Sequence, residues 1–191
     1  MSASQSDATV AATLDSVPEF VRHSDRLADA WRFALEAYDG RSSGALAHPV
    51  AVAALVHEAQ YPEHVVVAAL LHDIVEDTPT GLGHVSKRFG AAVCGLVARL
   101  TEDDSIHRYA DRKAELRRRA AASEDDHAAA IFAADKLASV RAVNDEEAVI
   151  EQAKLEHYER TVRDVGLSHP GVPFLAELRE QLRQLRQRVT Q

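Results

Sequence analysis

Apolar residues recur at roughly helical spacing along most of this chain, and no stretch shows a convincing strand pattern. From about Pro18 to Tyr38, the apolar positions Phe20, Leu27, Trp31 and Leu35 fall near helical spacing, behind a proline that suits a helix start. Asp39-Gly40-Arg41-Ser42-Ser43-Gly44 reads as a loop. A second helix is expected from His48-Pro49 to about Gln60. A third starts at Pro62-Glu63 and carries Val65 to about Glu76, until Asp77-Thr78-Pro79-Thr80-Gly81 breaks it. Leu82 to Phe89 forms a short helix that Gly90 stops, and about Ala91 to Leu100 forms another. Residues 108–122 are charged and helix-prone. Ser123 is the expected N-cap of a helix that runs to about Val143, with Asp125 and Asp126 in its first turn. Two polar helices follow, about Asp145 to Val165 and Pro173 to Val189, the second packing through Leu175, Leu178, Leu182 and Leu185. The pattern predicts an all-α, single-domain helical bundle without internal repeats.

Composition agrees with that pattern. The 191 residues are 46% apolar and 27% charged, a globular balance for one domain with a single core. Gly, Pro and aromatics are scarce, which favours helix over strand. Twenty-two basic against thirty acidic residues leave a formal charge of −8, a poor basis for a nucleic-acid scaffold. A small anionic substrate stays compatible, because a bound cation and a few Arg or Lys can reverse the local sign. Cys94 is the single cysteine, so neither an internal disulfide nor a thiolate metal cluster is expected; its apolar setting reads as a small buried hydrophobe. The N-terminus has no basic start followed by an apolar run, and no apolar stretch approaches membrane-spanning length. A cytoplasmic protein with no membrane and no nucleic-acid partner is the expectation, and the sequence leaves a homo-oligomer open.

The chemistry concentrates in Ala68-Ala69-Leu70-Leu71-His72-Asp73-Ile74-Val75-Glu76-Asp77-Thr78. An apolar run buries the helix, and four of the next six residues are imidazole or carboxylate. Such groups are costly in a core helix unless paired or metal-bound. His72 and Glu76 stand four apart, as do Asp73 and Asp77, so each pair is expected along one side of a helix. Neutral nitrogen together with anionic oxygen suits Mn²⁺, Fe²⁺, Co²⁺ or Zn²⁺ better than Ca²⁺. His48, before Pro49 at a helix entry, and Asp135, after the apolar run Ile131 to Ala134, can complete a site of two His and two Asp. That set leaves positions open for water and a substrate oxygen. The remaining histidines read as surface or packing residues.

His48, then His72-Asp73, then Asp135 resemble the H…HD…D pattern of the HD superfamily. His48-Pro49-Val50-Ala51-Val52-Ala53, LLHDIVEDT, Phe89-Gly90-Ala91-Ala92-Val93 with Leu96-Val97, Thr101, and Ala134-Asp135-Lys136-Leu137 resemble the hydrolase domain of RelA/SpoT proteins, above all its small stand-alone forms. The resemblance covers about residues 25–145. It implies an HD-type helical bundle over 17–191, with C-terminal helices over 145–190 and a disordered N-terminus over 1–16. It implies His48, His72, Asp73 and Asp135 as ligands of a divalent metal, manganese before iron, cobalt or zinc. It also implies Glu76 and Asp77 as the catalytic pair beside a metal-activated water. The implied reaction removes pyrophosphate from the 3′ position of guanosine tetra- or pentaphosphate, leaving GDP or GTP.

Arg41, Arg112, Lys113, Lys136 and Ser139 are the candidates for contact with substrate. Ser139 stands where the family tends to have Asn. The family's Arg-Lys-x-Gly-x-Pro-Tyr segment, before its first metal histidine, is here Gly40-Arg41-Ser42-Ser43-Gly44-Ala45-Leu46-Ala47, shorter and without the Lys, Pro and Tyr. Two other readings therefore stand beside the first: an HD phosphatase on another nucleotide or phosphate ester, and a non-catalytic module that binds metal or nucleotide.

Overall fold

The computed structural model describes residues 17–41, 44–146 and 148–189. The disorder expected for residues 1–16 and the loop positions Ser42 and Ser43 lie outside the described residues. Every regular element among the described residues is helical, as the apolar spacing predicts. A 3-10 helix, Glu19–His23, leads into α1 (Asp25–Ala37), α2 (Ala47–Glu58), α3 (Glu63–Leu70) and the single turn α4 (Ile74–Asp77). Then come α5 (Leu82–Leu100), α6 (Tyr109–Ala121), α7 (His127–Asp145), α8 (Gln152–Ser168) and α9 (Leu175–Val189). None of these helices is long and apolar enough to cross a membrane.

Local chemistry sets three boundaries differently from the periodicity. The helix expected from Pro18 to Tyr38 is divided at Ser24, whose backbone is extended at φ −147° and ψ 129°. The Ser24 hydroxyl accepts from the N–H groups of Arg26 and Leu27, so it caps α1 and cannot continue the turn before it. The helix expected from Val65 to Glu76 breaks at 71–73, where the bonds Leu71 N–H to Ala68 O, His72 N–H to Ala69 O and Ile74 N–H to Leu71 O span three residues instead of four. The pairing of His72 with Glu76 and Asp73 with Asp77 along one continuous helix is therefore corrected. Asp126, not Ser123, directly precedes α7, and its carboxylate accepts from the Tyr61 hydroxyl at 2.8 Å.

Gly90 interrupts α5 at φ 86° and ψ 175°, so Leu82–Leu100 holds two helices across a kink, as the glycine predicts. The Phe89 carbonyl beside the bend accepts from the Arg26 guanidinium at 2.8 Å. Cys94 is half-buried, with its thiol 3.5 Å from the Leu82 carbonyl.

The core runs along α7, whose residues Ala128 to Ala134 are all buried. Their small side chains let the surrounding helices approach the axis of α7 closely. Helices α2, α3, α5, α6, α8 and α9 all pack against it. Leu175, Leu178, Leu182 and Leu185 of α9 are buried as expected. Arg141 to Glu177 and Asn144 to Gln181 pin α9 to α7 at the surface. The arrangement brings the start of α2, the turn between α3 and α4, and the middle of α7 to one place.

Candidate metal centre

The tight turn after α3 decides where two adjacent side chains go. His72 is buried, at 3% exposure, while Asp73 is half-buried and opens toward solvent. The Nδ1–H of His72 donates to the Ala69 carbonyl at 2.7 Å. In the neutral ring that bond leaves Nε2 as the bare nitrogen. Nε2 is buried and makes no hydrogen bond among the described residues, although Asp73 Oδ2 lies 3.0 Å away. A proton or a metal cation satisfies such a pair, and the two compete for the same nitrogen.

His48, on the first turn of α2, turns its Nε2 to 3.1 Å from Asp135 Oδ1 and 3.9 Å from Asp73 Oδ2. The two imidazole rings meet edge to face, with centroids 5.5 Å apart. One donor atom each from His48, His72 and Asp73 lies within 4.8 Å of the others. Ions of this class bind nitrogen and oxygen at about 2.0–2.2 Å, so neighbouring donors on one ion sit about 3 Å apart. The contacts of 3.0, 3.1 and 3.9 Å lie at or near that spacing. The second oxygen of Asp135 is held by the buried Lys136 ammonium, which also lies 4.6 Å from the Phe132 ring centroid.

The electrostatics follow from burial set against pairing. Burial works to raise both aspartates. Lys136 and His48 nevertheless hold Asp135 well below the usual carboxylate range, and His72 does the same, less strongly, for Asp73. Burial works against a charged His72, yet Asp73 and Asp135 raise it to about 9. Lys136 is pushed up to about 12, because Asp135 outweighs its burial. Glu76 is raised, chiefly by burial, against the pull of its bond to the Glu102 backbone.

These groups line a cleft of about 360 Å³. His48, His72, Asp73, Asp135, Glu76, Lys113, Lys136 and Ser139, all expected from sequence, are on its wall. Glu76 Oε1 accepts from the Glu102 N–H at 2.6 Å, which fixes it at the rim. Asp77, Arg41 and Arg112 are not on the wall. Asp77 accepts from the Tyr38 hydroxyl at 3.1 Å, and burial first, then Asp77 and Asp73, raise that tyrosine far above its ordinary value. Arg41 is exposed, close enough to temper the Tyr38 shift. Arg112 and Lys113 both bond the Glu102 carboxylate. The sequence pattern does not single out Glu102, Lys154 and Tyr158, which the structure places on the wall. Lys154 and Tyr158 stand four apart on α8, and that spacing is the one signal that could have paired them.

The chain is similar to known proteins. The HD domain family model matches residues 30–165. A guanosine-3′,5′-bis(diphosphate) 3′-pyrophosphohydrolase, MESH1 of Drosophila melanogaster, is 42% identical over 79 residues, 41% of this chain and 43% of that protein. The Homo sapiens MESH1 is 39% identical over 99 residues, 51% of this chain and 54% of its own length. The chain thus spans about half the length of these relatives. In a solved structure, a metazoan ortholog of SpoT described as hydrolysing ppGpp superposes with a TM-score of 0.68 at 28% identity, covering 84% of this chain and 96% of that one.

Proposed function

We propose, on the premise that the chain belongs to the HD domain family, that it is a metal-dependent phosphohydrolase which removes pyrophosphate from the 3′ position of guanosine tetra- or pentaphosphate. The observation that carries the reading is the grouping of His48, His72 and Asp73, with Asp135 3.1 Å from His48, in a cleft whose wall also bears Lys113, Lys136 and Lys154. The names of the relatives point the same way.

His48, His72, Asp73 and Asp135 would hold the ion, with manganese the first choice for two imidazoles and two carboxylates. When bound, a divalent ion supplies Lewis acidity toward a phosphoryl oxygen and lowers the pKa of water from 15.7 toward about 7. The protein's own groups do the rest. Glu76, raised by burial and held by the Glu102 N–H, takes the proton from the attacking water. Asp77, expected beside the water, is held by Tyr38 off the cleft wall, so its part would be to position the turn that carries Glu76. The ammonium groups of Lys113 and Lys154 take up charge on the transferred phosphates. Lys136 stays on Asp135 and fixes that carboxylate for the ion. Ser139 and the Tyr158 hydroxyl offer hydrogen bonds to the nucleotide.

The test is a panel of nucleotides with Mn²⁺, read by the pyrophosphate or phosphate released. Guanosine tetraphosphate should give GDP and pyrophosphate. Turnover of other phosphate esters with none of guanosine tetraphosphate would replace the substrate, and no turnover of any would replace the reaction. Arg41 lies off the cleft wall, and this favours a second reading, hydrolysis of a different nucleotide, which the same panel separates.

A further inference from the structure

Beside the metal cleft, a second cavity of about 90 Å³ opens on the seam between α6 and α8. Lys113, Arg117 and Arg160 line it, paired in turn with Glu102, Asp164 and Glu156, of which Glu156 is on its wall. His157 completes the wall and is itself 3% exposed. Arg117 donates Nη1–H to His157 Nδ1 at 2.8 Å. A guanidinium has no acceptor, so Nδ1 is the bare nitrogen and the ring proton sits on Nε2. Burial, then the charges of Lys136, Lys113 and Arg117, keep this ring neutral, with its pKa lowered to about 2. Nε2–H is thus a buried donor, and it makes no hydrogen bond among the described residues. The rings of Phe132 and Tyr158 flank it at 5.9 and 5.6 Å, and neither offers more than a weak aromatic acceptor.

A buried donor beside three cations, each paired with a single carboxylate, can be satisfied by an anionic oxygen that shares those cations. One water needs about 10–15 Å³ of such space, so the cavity admits a small tetrahedral group but not a nucleobase. We propose that the α6–α8 cavity is a separate anion site, which takes a phosphate group through His157 Nε2, Arg117, Arg160 and Lys113. Lys113 lines both cavities and bonds Glu102 in the absence of an anion. A phosphate group in the small cavity competes with Glu102 for that ammonium and is felt in the cleft. The group is either free inorganic phosphate or the far phosphate of a nucleotide seated at the metal centre. The site stands apart from the reaction proposed above, because its occupancy can be read without turnover.

The test titrates inorganic phosphate into the full-length protein, against chloride at matched ionic strength, and follows the thermal melt. Phosphate should raise the midpoint saturably. Arg160→Glu, at a half-exposed position where folding is not at stake, should weaken the apparent dissociation constant at least tenfold, and His157→Phe should do the same. Arg22→Glu makes the same charge change on the exposed 3-10 helix and should leave the constant unchanged. A phosphate effect no larger than that of chloride would overturn the site. So would equal constants in wild type and Arg160→Glu, or an equal loss in Arg22→Glu. Steady-state kinetics then separate the two sources. A raised KM with kcat unchanged in Arg160→Glu assigns the group to the nucleotide, and weaker inhibition by phosphate at unchanged KM assigns it to the free ion.

Discussion

A neutral imidazole at position 157 ties the stability of this protein to pH. The unfolded chain takes up a proton near 6.5, while the folded ring refuses it down to about 2. The unfolded state therefore binds more protons below 6.5, and stability falls as the pH drops, by up to about 1.4 kcal/mol per unit. Asp135 and Asp73 titrate in the unfolded chain near 3.8 and add their own loss only around and below that value. His72, raised to about 9, works the other way and loses its contribution as the pH rises from 6.5 through 9. Between about 4.5 and 6.5 the loss comes from His157, with His64 lowered in the same sense, while Glu76, raised from 4.5 chiefly by burial, acts in the opposite sense. His157→Gln should flatten the urea midpoint across that window; a slope as steep as that of wild type would remove the assignment. Glu76→Gln makes a different point at the same scale. It should keep the bound ion and lower kcat by about 10²–10⁴-fold, and a variant that turned over normally would move the proton acceptor elsewhere.

Among the elements, α5 carries the sharpest prediction. Gly90 sits in a backbone region that only glycine enters readily, so Gly90→Ala should cost about 1–3 kcal/mol by chemical denaturation. Gly95, exposed on the same element with open space at its Cβ position, should tolerate alanine and gain about 0.5–1 kcal/mol. Equal effects at the two positions would mean that the bend at Gly90 is not what requires glycine there. Gly90 was readable as a stop because glycine is a common helix terminator. The bond from Arg26, 63 positions away, to the Phe89 carbonyl beside the kink was not readable in the sequence. The break at 71–73 was hidden for another reason. Val65 to Leu71 and Ile74 to Asp77 are both compatible with helix, and local propensity gives no signal for the tighter bonds between them. Ser123 and Asp126 are both good caps, and only the tertiary contact from Tyr61 favours the second.

In the whole molecule, the metal centre joins parts of the chain that lie far apart. His48 and Asp135, 87 positions apart, meet at 3.1 Å, and the turn after α3 would supply the other two donors of the proposed set. An ion that binds only this folded arrangement stabilises it by RT ln(1 + [L]/Kd), about 2.7 kcal/mol at a hundredfold excess over Kd. Chelator should therefore lower the melting temperature, and Mn²⁺ should raise it in proportion to the logarithm of its free concentration. His72→Ala should abolish that dependence; a midpoint indifferent to Mn²⁺ in the native chain would sink the ligand set. The donors could be picked out in the sequence because imidazole and carboxylate after apolar runs are conspicuous. Lys154 and Tyr158 could not, because α8 has the polar character of a solvated helix and only its packing on α6 and α7 turns that side inward. The tight turn at 71–73 has a further result for how the chain tolerates change in length. Two consecutive side chains supply half the cage, one facing the interior and one facing the cleft. A single residue inserted between Leu71 and Asp73 would rotate the downstream turn by about 100° and misplace a donor in one step.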